Sequence, residues 1–135
     1  MTWLSLSPDL EARAEVHGGR CTVHFAGDLD RGSTPRAQML LDALLASHRG
    51  ALVVDLAAVS FGDASLCHVV GDIERRARGR RRAFVLVGVR PPVDRLLAIT
   101  GLEHLIHEVD EVDTIADPRW QAPPVRCDQV LHRSN

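Results

Sequence analysis

The sequence predicts an α/β fold: one mixed β-sheet, started by a hairpin and continued by strands that are joined through helices. Two kinds of periodicity carry that expectation. Near the start, apolar and polar residues alternate with a period of two. Further on, short continuous apolar runs are separated by stretches with apolar residues three and four apart. The resulting order, ββαβαβαβ(α), describes a sheet whose parallel strands need right-handed crossovers covered by helices. With 135 residues, 45% of them hydrophobic, the chain has apolar surface for one core rather than several.

Leu10, Ala12, Ala14 and Val16 alternate with Glu11, Arg13, Glu15 and His17, which predicts a half-buried strand. Gly18-Gly19 supplies a turn, and Cys21, Val23 and Phe25 alternate on the return, completing a hairpin. Ser33-Thr34-Pro35 reads as a capping hydroxyl followed by proline at the first helical position, where no N–H is needed. Ala37, Leu40, Leu41, Leu44 and Leu45 then place a first helix over residues 35–47.

Residues 51–55 are a continuous apolar run closed by Asp55, the pattern of a strand covered on both faces. A second helix starts near Ser65, with Leu66, Val69, Val70, Ile73 and Ala77 on one stripe and Gly79 as its stop. Residues 83–89 read as another buried strand. Pro91-Pro92 opens a third helix with Val93, Leu96 and Leu97 on its apolar side, and Thr100-Gly101 closes it. Residues 105–109 read as a last short strand and 112–116 as a helical turn. The domain therefore spans 10–117. Residues 1–9 are an N-terminal arm in which Trp3, Leu4 and Leu6 form either an edge strand or a loose extension. Residues 118–135, carrying Pro118, Pro123 and Pro124, are a C-terminal tail, where Trp120 is the residue suited to pack back on the domain.

Several classes are disfavoured. No apolar run has the length to cross a membrane, and residues 1–7 lack the basic start of an export signal. The expectation is a cytoplasmic protein with no direct membrane insertion. Cys21, Cys67 and Cys127 are odd in number and far apart, which argues against a disulfide framework or a paired-cysteine metal site. No metal or cofactor is expected, since no glycine-rich phosphate loop is present either. A net charge of −2 gives no general attraction to nucleic acid. The arginine run from Arg75 to Arg82 falls at the end of the second helix, where cations complement the helix dipole. No aromatic residues are interleaved with it to stack on bases. It reads first as a solvated helix end and second as a contact for an acidic partner patch.

The most informative segment is residues 55–66, which lead from a buried strand through a short loop into the second helix. Ser65 stands at the helix start, two positions after Asp63. There a phosphate meets free N–H groups and the positive end of the helix dipole. Asp63-Ala64-Ser65-Leu66 resembles the Asp-Ser-Ser-Gly signature of the STAS family, of the anti-sigma factor antagonist type, with the phosphoacceptor position kept and the first Ser and the Gly replaced. Further segments match in order. Gly27-Asp28-Leu29-Asp30 is similar to the family's Gly-Glu-Leu-Asp turn. Asp55-Leu56, Val59, Phe61 and Asp63 resemble the approach to the signature, and Arg90-Pro91 and Ile99-Thr100-Gly101-Leu102 the stretches around the third helix.

The resemblance implies a single-domain STAS-like mixed β-sheet with helices supplied by βα crossovers, and a regulator without chemistry of its own. It implies partner switching: binding to an anti-sigma serine kinase of the histidine-kinase-like ATPase fold, phosphorylation of Ser65 that ends the interaction, and a phosphatase that resets it. The implied partner-binding residues are Asp28, Asp30, Phe61, Asp63, Ser65 and Leu66. Four of them have a plainer reading beside the functional one. Ser65 or Asp63 can serve as the N-cap of the helix, and Asp28 and Asp30 can serve turn formation. Leu66 places a bulky side chain beside the acceptor. Ser65 and His68 are three apart and able to approach, but no nucleophile elbow or third orienting group accompanies them, so no catalytic residues are expected. The alternatives are a non-phosphorylated STAS subunit of a membrane-associated lipid-transport complex, or a small-ligand or nucleotide sensor.

Overall fold

The computed structural model describes residues 2–112. Five strands lie in one sheet in chain order: β1 (Leu4–Ser7), β2 (Leu10–His17), β3 (Arg20–Leu29), β4 (Ala51–Gly62) and β5 (Phe84–Val87). The first three are antiparallel, whereas β3, β4 and β5 run parallel. Helices α1 (Thr34–Ser47) and α2 (Ala64–Gly79) make the two parallel crossovers, and α3 (Val93–Ile99) follows β5. Of the two readings of the N-terminal arm, the edge strand is the one adopted, with Leu4 opposite Ala12.

The alternation predicted for the hairpin sorts its side chains. Leu10, Ala12, Cys21, Val23 and Phe25 face the helices and join Leu52, Val54 and Leu56 of β4 in the main core. From above come Ala37, Leu41 and Leu45 of α1, Leu66, Val69, Val70 and Ile73 of α2, and Leu97 of α3. Burying each of the Val, Leu, Ile and Phe side chains contributes about 1.5–3 kcal/mol, and the alanines less. On the opposite face, Val53, Val85 and Val87 pack with Val112 in a second cluster. That is why β4 and β5 read as continuous apolar runs. The tail 118–135, Trp120 and most of the expected turn 112–116 lie outside the described residues.

Three expectations are corrected. The strand expected at 105–109 is a single bridge from Ile106 to Leu86, flanked by 3-10 turns at Glu103–Leu105 and Val109–Glu111. β5 ends at Val87 because Gly88 turns away at a φ of +68°, which leaves little edge to pair with. Second, the segment leading to Ser65 is not a loop: β4 runs on to Gly62 and only Asp63 separates it from α2. Beyond Asp55 the strand loses β5 as a neighbour, and its register against β3 shifts between His24 and Ala26 and again between Gly27 and Asp28. These bulges give β4 an extra residue each time, so burial follows a period of three (Leu56, Val59) rather than two.

The third correction concerns one residue of the arginine run: Arg75, Arg76, Arg78, Arg80 and Arg81 are exposed as expected, while Arg82 is not. Arg76 Nη1 lies 2.5 Å from Asp42 Oδ2 and Arg75 pairs with Asp72. Arg82 turns inward, donating from Nε to the Gly50 carbonyl at 2.8 Å and from Nη1 to the Leu45 carbonyl at 2.5 Å. It thereby satisfies a C-terminal carbonyl of α1 and the approach to β4. Burial lowers the pKa of Arg82, and burial raises that of the neighbouring Cys21 thiol, with the Arg82 charge acting in the opposite sense.

Candidate functional site

The carboxyl ends of β3 and β4 and the start of α2 meet at one edge of the molecule. Asp28 pairs with Phe61 and Leu29 with Gly62, and the Asp63 N–H donates to the Leu29 carbonyl at 3.3 Å. This brings together the expected residues Asp28, Phe61, Asp63 and Ser65, with Asp30 one residue beyond β3.

Asp63 caps α2: its extended backbone lets Oδ1 accept the Ser65 N–H at 2.8 Å. Ser65 is thus the second helical residue, not the cap. Its half-buried hydroxyl makes no hydrogen bond among the described residues, to His68 or to any other group. The reading of Ser65 as a cap is therefore corrected, because Asp63 already fills that role.

Leu66 is also corrected. It was expected beside the acceptor on the docking surface, yet it is 3% exposed and packs in the core with Val93 and Leu97. A Cβ on Gly62 would stand 2.9 Å from Leu66 Cδ2 and 3.3 Å from Val93 Cγ2, so Leu66 folds back over the end of β4. It anchors the helix start from below instead of shielding Ser65 from above.

Phe61 is 53% exposed, a large aromatic surface with no cover among the described residues. Gly27 and Asp28, expected in a turn, belong to the bulged end of β3; the turn itself begins at Asp30. Asp30 Oδ1 accepts the N–H groups of Gly32 at 2.9 Å and Ser33 at 3.1 Å, so its carboxylate is taken up by that turn. The Asp28 carboxylate makes no hydrogen bond among the described residues. Ser33 was expected to cap α1 with its hydroxyl and does not: it stands at the N-cap position with no capping bond, and its Oγ turns back to Asp28 and Asp30.

One residue of this edge gives no signal in the sequence. Asp9, in the turn between β1 and β2, accepts the Asp28 N–H on its carbonyl at 2.8 Å, and its side chain is exposed. The approach requires Gly27, whose φ is +114° and whose Cβ, if present, would lie 2.0 Å from that carbonyl oxygen. Asp9 thus joins the end of β3 through its backbone, while Asp63 is the carboxylate in contact with Ser65.

A separate cavity of about 390 Å³ lies between α2 and the end of α3, lined by Cys67, His68, Glu74, Arg75, Arg78 and Thr100 among others. Glu74, buried on α2, meets His104 Nε2 at 2.5 Å there. Among the described residues no cluster of His, Cys, Asp and Glu is arranged to hold a metal ion. No described helix is long and apolar enough to cross a membrane.

The STAS domain model matches residues 11–115 of the chain. This chain belongs to the STAS domain family. Several of its solved structural neighbours are anti-sigma factor antagonists. One from Mycobacterium paratuberculosis is 27% identical over 82% of this chain and 97% of its own, with a TM-score of 0.69. SpoIIAA in its unphosphorylated form is 16% identical, covering 77% of this chain and 92% of its own with a TM-score of 0.67. Bacillus SpoIIAA in its phosphorylated form is 15% identical, covering 77% and 96%, with a TM-score of 0.62. At those lower identities the likeness establishes the fold. No curated protein sequence matches the chain.

Proposed function

We propose that this STAS protein is an anti-sigma factor antagonist that binds an anti-sigma serine kinase and is released by phosphorylation of Ser65. The observation that carries the reading is the unengaged Ser65 hydroxyl at the start of α2, with the capping role already filled by Asp63. Serine at such a place is ordinarily explained by capping. Here that explanation is spent on another residue, and the helix start follows the end of β4, where the exposed Phe61 pairs with Asp28. The naming of its 27% identical neighbour as an anti-sigma factor antagonist supports the same role.

The physics of the switch follows from the edge described above. A phosphate brings about −1.5 to −2 charges at neutral pH. Asp63 at the helix start and Asp28 on the same edge raise the local negative potential, while the helix N-terminus offsets about 0.3–1 kcal/mol of it. A partner surface shaped around a neutral hydroxyl and Phe61 would have to desolvate that charge without a counter-ion, at a cost of several kcal/mol. The unmodified form binds and the phosphorylated form does not. Catalysis has no part in this on the antagonist's side; the kinase and a phosphatase supply it.

The test is affinity capture from the source cells with tagged Ser65→Ala and Ser65→Glu proteins, followed by mass spectrometry. Retention of a serine kinase by Ser65→Ala and its loss from Ser65→Glu is the expected result. Equal retention by both variants would eliminate the switch, and recovery of transporter subunits in place of a kinase would support the lipid-transport alternative.

A further inference from the structure

We propose that Ser33, a residue with no surface to offer a partner, positions Asp28 for docking. The inference rests on the function proposed above and identifies what holds that docking edge in shape.

Ser33 is 1% exposed. Its Oγ donates to the Asp28 carbonyl at 2.6 Å and accepts the Asp30 N–H at 3.0 Å. One buried hydroxyl therefore bridges an acceptor and a donor two residues apart. The Asp28 residue is also held from its other side, since its N–H donates to the Asp9 carbonyl at 2.8 Å. With its backbone fixed at both ends, Asp28 presents a carboxylate that no other described group uses. Burial of Ser33 excludes water as a substitute for either bond.

A serine at the N-cap position would ordinarily give its hydroxyl to the helix. Ser33 makes no such bond, so its removal takes nothing from α1 by that route. The start of α2 is held mainly by contacts that Ser33 does not make, the Asp63 carboxylate on the Ser65 N–H and Leu66 over Gly62, and shares with the Ser33 segment only the longer Asp63 N–H bond to the Leu29 carbonyl at 3.3 Å. Loss of the Ser33 hydroxyl should thus loosen Asp28 while leaving Ser65 in place. Part of the docking free energy would then be consumed in ordering the segment. The consequence is a split: recognition by the kinase weakens, and phosphoryl transfer to an already docked Ser65 does not.

The experiment is steady-state phosphorylation of full-length wild type, Ser33→Ala and Ser33→Thr by the purified serine kinase that the Ser65→Ala protein retains. Ser33→Ala should raise KM about tenfold with kcat within about twofold of wild type, and Ser33→Thr, which keeps the hydroxyl, should restore most of the KM. If Ser33→Ala melts below the assay temperature, Ser33→Cys replaces it, with the same shift in smaller measure. An unchanged KM, a fall in kcat at constant KM, or equal losses in the Ala and Thr variants would each overturn the positioning role. A wild-type chain that accepts no phosphate at Ser65 removes the proposed function and this inference together. Normal wild-type phosphorylation with an unchanged Ser33→Ala KM removes this inference alone.

Discussion

At its start α2 presents a hydroxyl that bonds to nothing among the described residues, whereas at its end the arginines are largely engaged. Arg75, Arg76 and Arg78 face Asp72, Asp42 and Glu74, and Arg82 is drawn inward to the carbonyls of Leu45 and Gly50. The dense charge that catches the eye in the sequence is mostly an exposed helix end whose ion pairs lie within the chain, with Arg82 the structural member. The sparse end, with one serine, one exposed phenylalanine and a free aspartate, is where groups are held in place without being used by the fold. The contrast teaches that abundance of charge is a poor guide to a site, and that a polar group relieved of its structural task is a better one.

The largest expected effect lies at the start of α2. Ser65→Glu should weaken kinase binding by about 4 kcal/mol, roughly a thousandfold, relative to Ser65→Ala in calorimetric titration, with melting temperature unchanged. Leu66→Ala sharpens the comparison from below. It should cost about 3 kcal/mol of stability in denaturant unfolding, because it empties the space over Gly62. A loss of kinase affinity without that destabilisation would return Leu66 to the docking surface.

Arg82→Ala tests the other end. It leaves two carbonyls without their donor and should cost about 2 kcal/mol of stability while leaving kinase affinity as it was. Phe61→Ala should do the reverse, lowering affinity about tenfold with no loss of stability, read by the same titration and by thermal melting. Smallest of all, Arg75→Ala should change stability by at most about 0.5 kcal/mol, since its ion pair with Asp72 is exposed. A larger change in kinase affinity at Arg75 than at Phe61 would invert the comparison.

Much of the fold was legible because periodicity reports burial directly. The hairpin alternation at Leu10, Ala12, Cys21, Val23 and Phe25, and the stripe from Leu66 to Ala77, appear in the core where expected, whereas Val16, near the hairpin turn, is exposed. The segment before Ser65 was misread as a loop because two bulges break the alternation of β4, leaving Ala57, Ala58, Ser60 and Phe61 exposed in a pattern that neither period fits. The sequence pointed to Asp28, Phe61, Asp63 and Ser65, which the fold brings to one edge, but not to how each is held there. That Asp63 rather than Ser65 caps the helix depends on one backbone conformation. Leu66 is buried because Gly62 leaves room for it. Asp9 reaches Asp28 through a contact between distant parts of the chain, and Ser33 turns its hydroxyl away from the helix it precedes. Such facts belong to tertiary packing, which a local pattern does not encode.

The central claim is that the free hydroxyl at the start of α2 is the phosphoacceptor. The most direct test incubates the wild-type protein and Ser65→Ala with ATP and the kinase that the latter retains, then maps phosphate by fragmentation of the tryptic peptide running from Gly50 to Arg75, which contains both Ser60 and Ser65. The account predicts one phosphate, on Ser65, and none on the Ser65→Ala peptide. Phosphate on Ser60, or an unmodified wild-type peptide under conditions where the kinase binds, would contradict it.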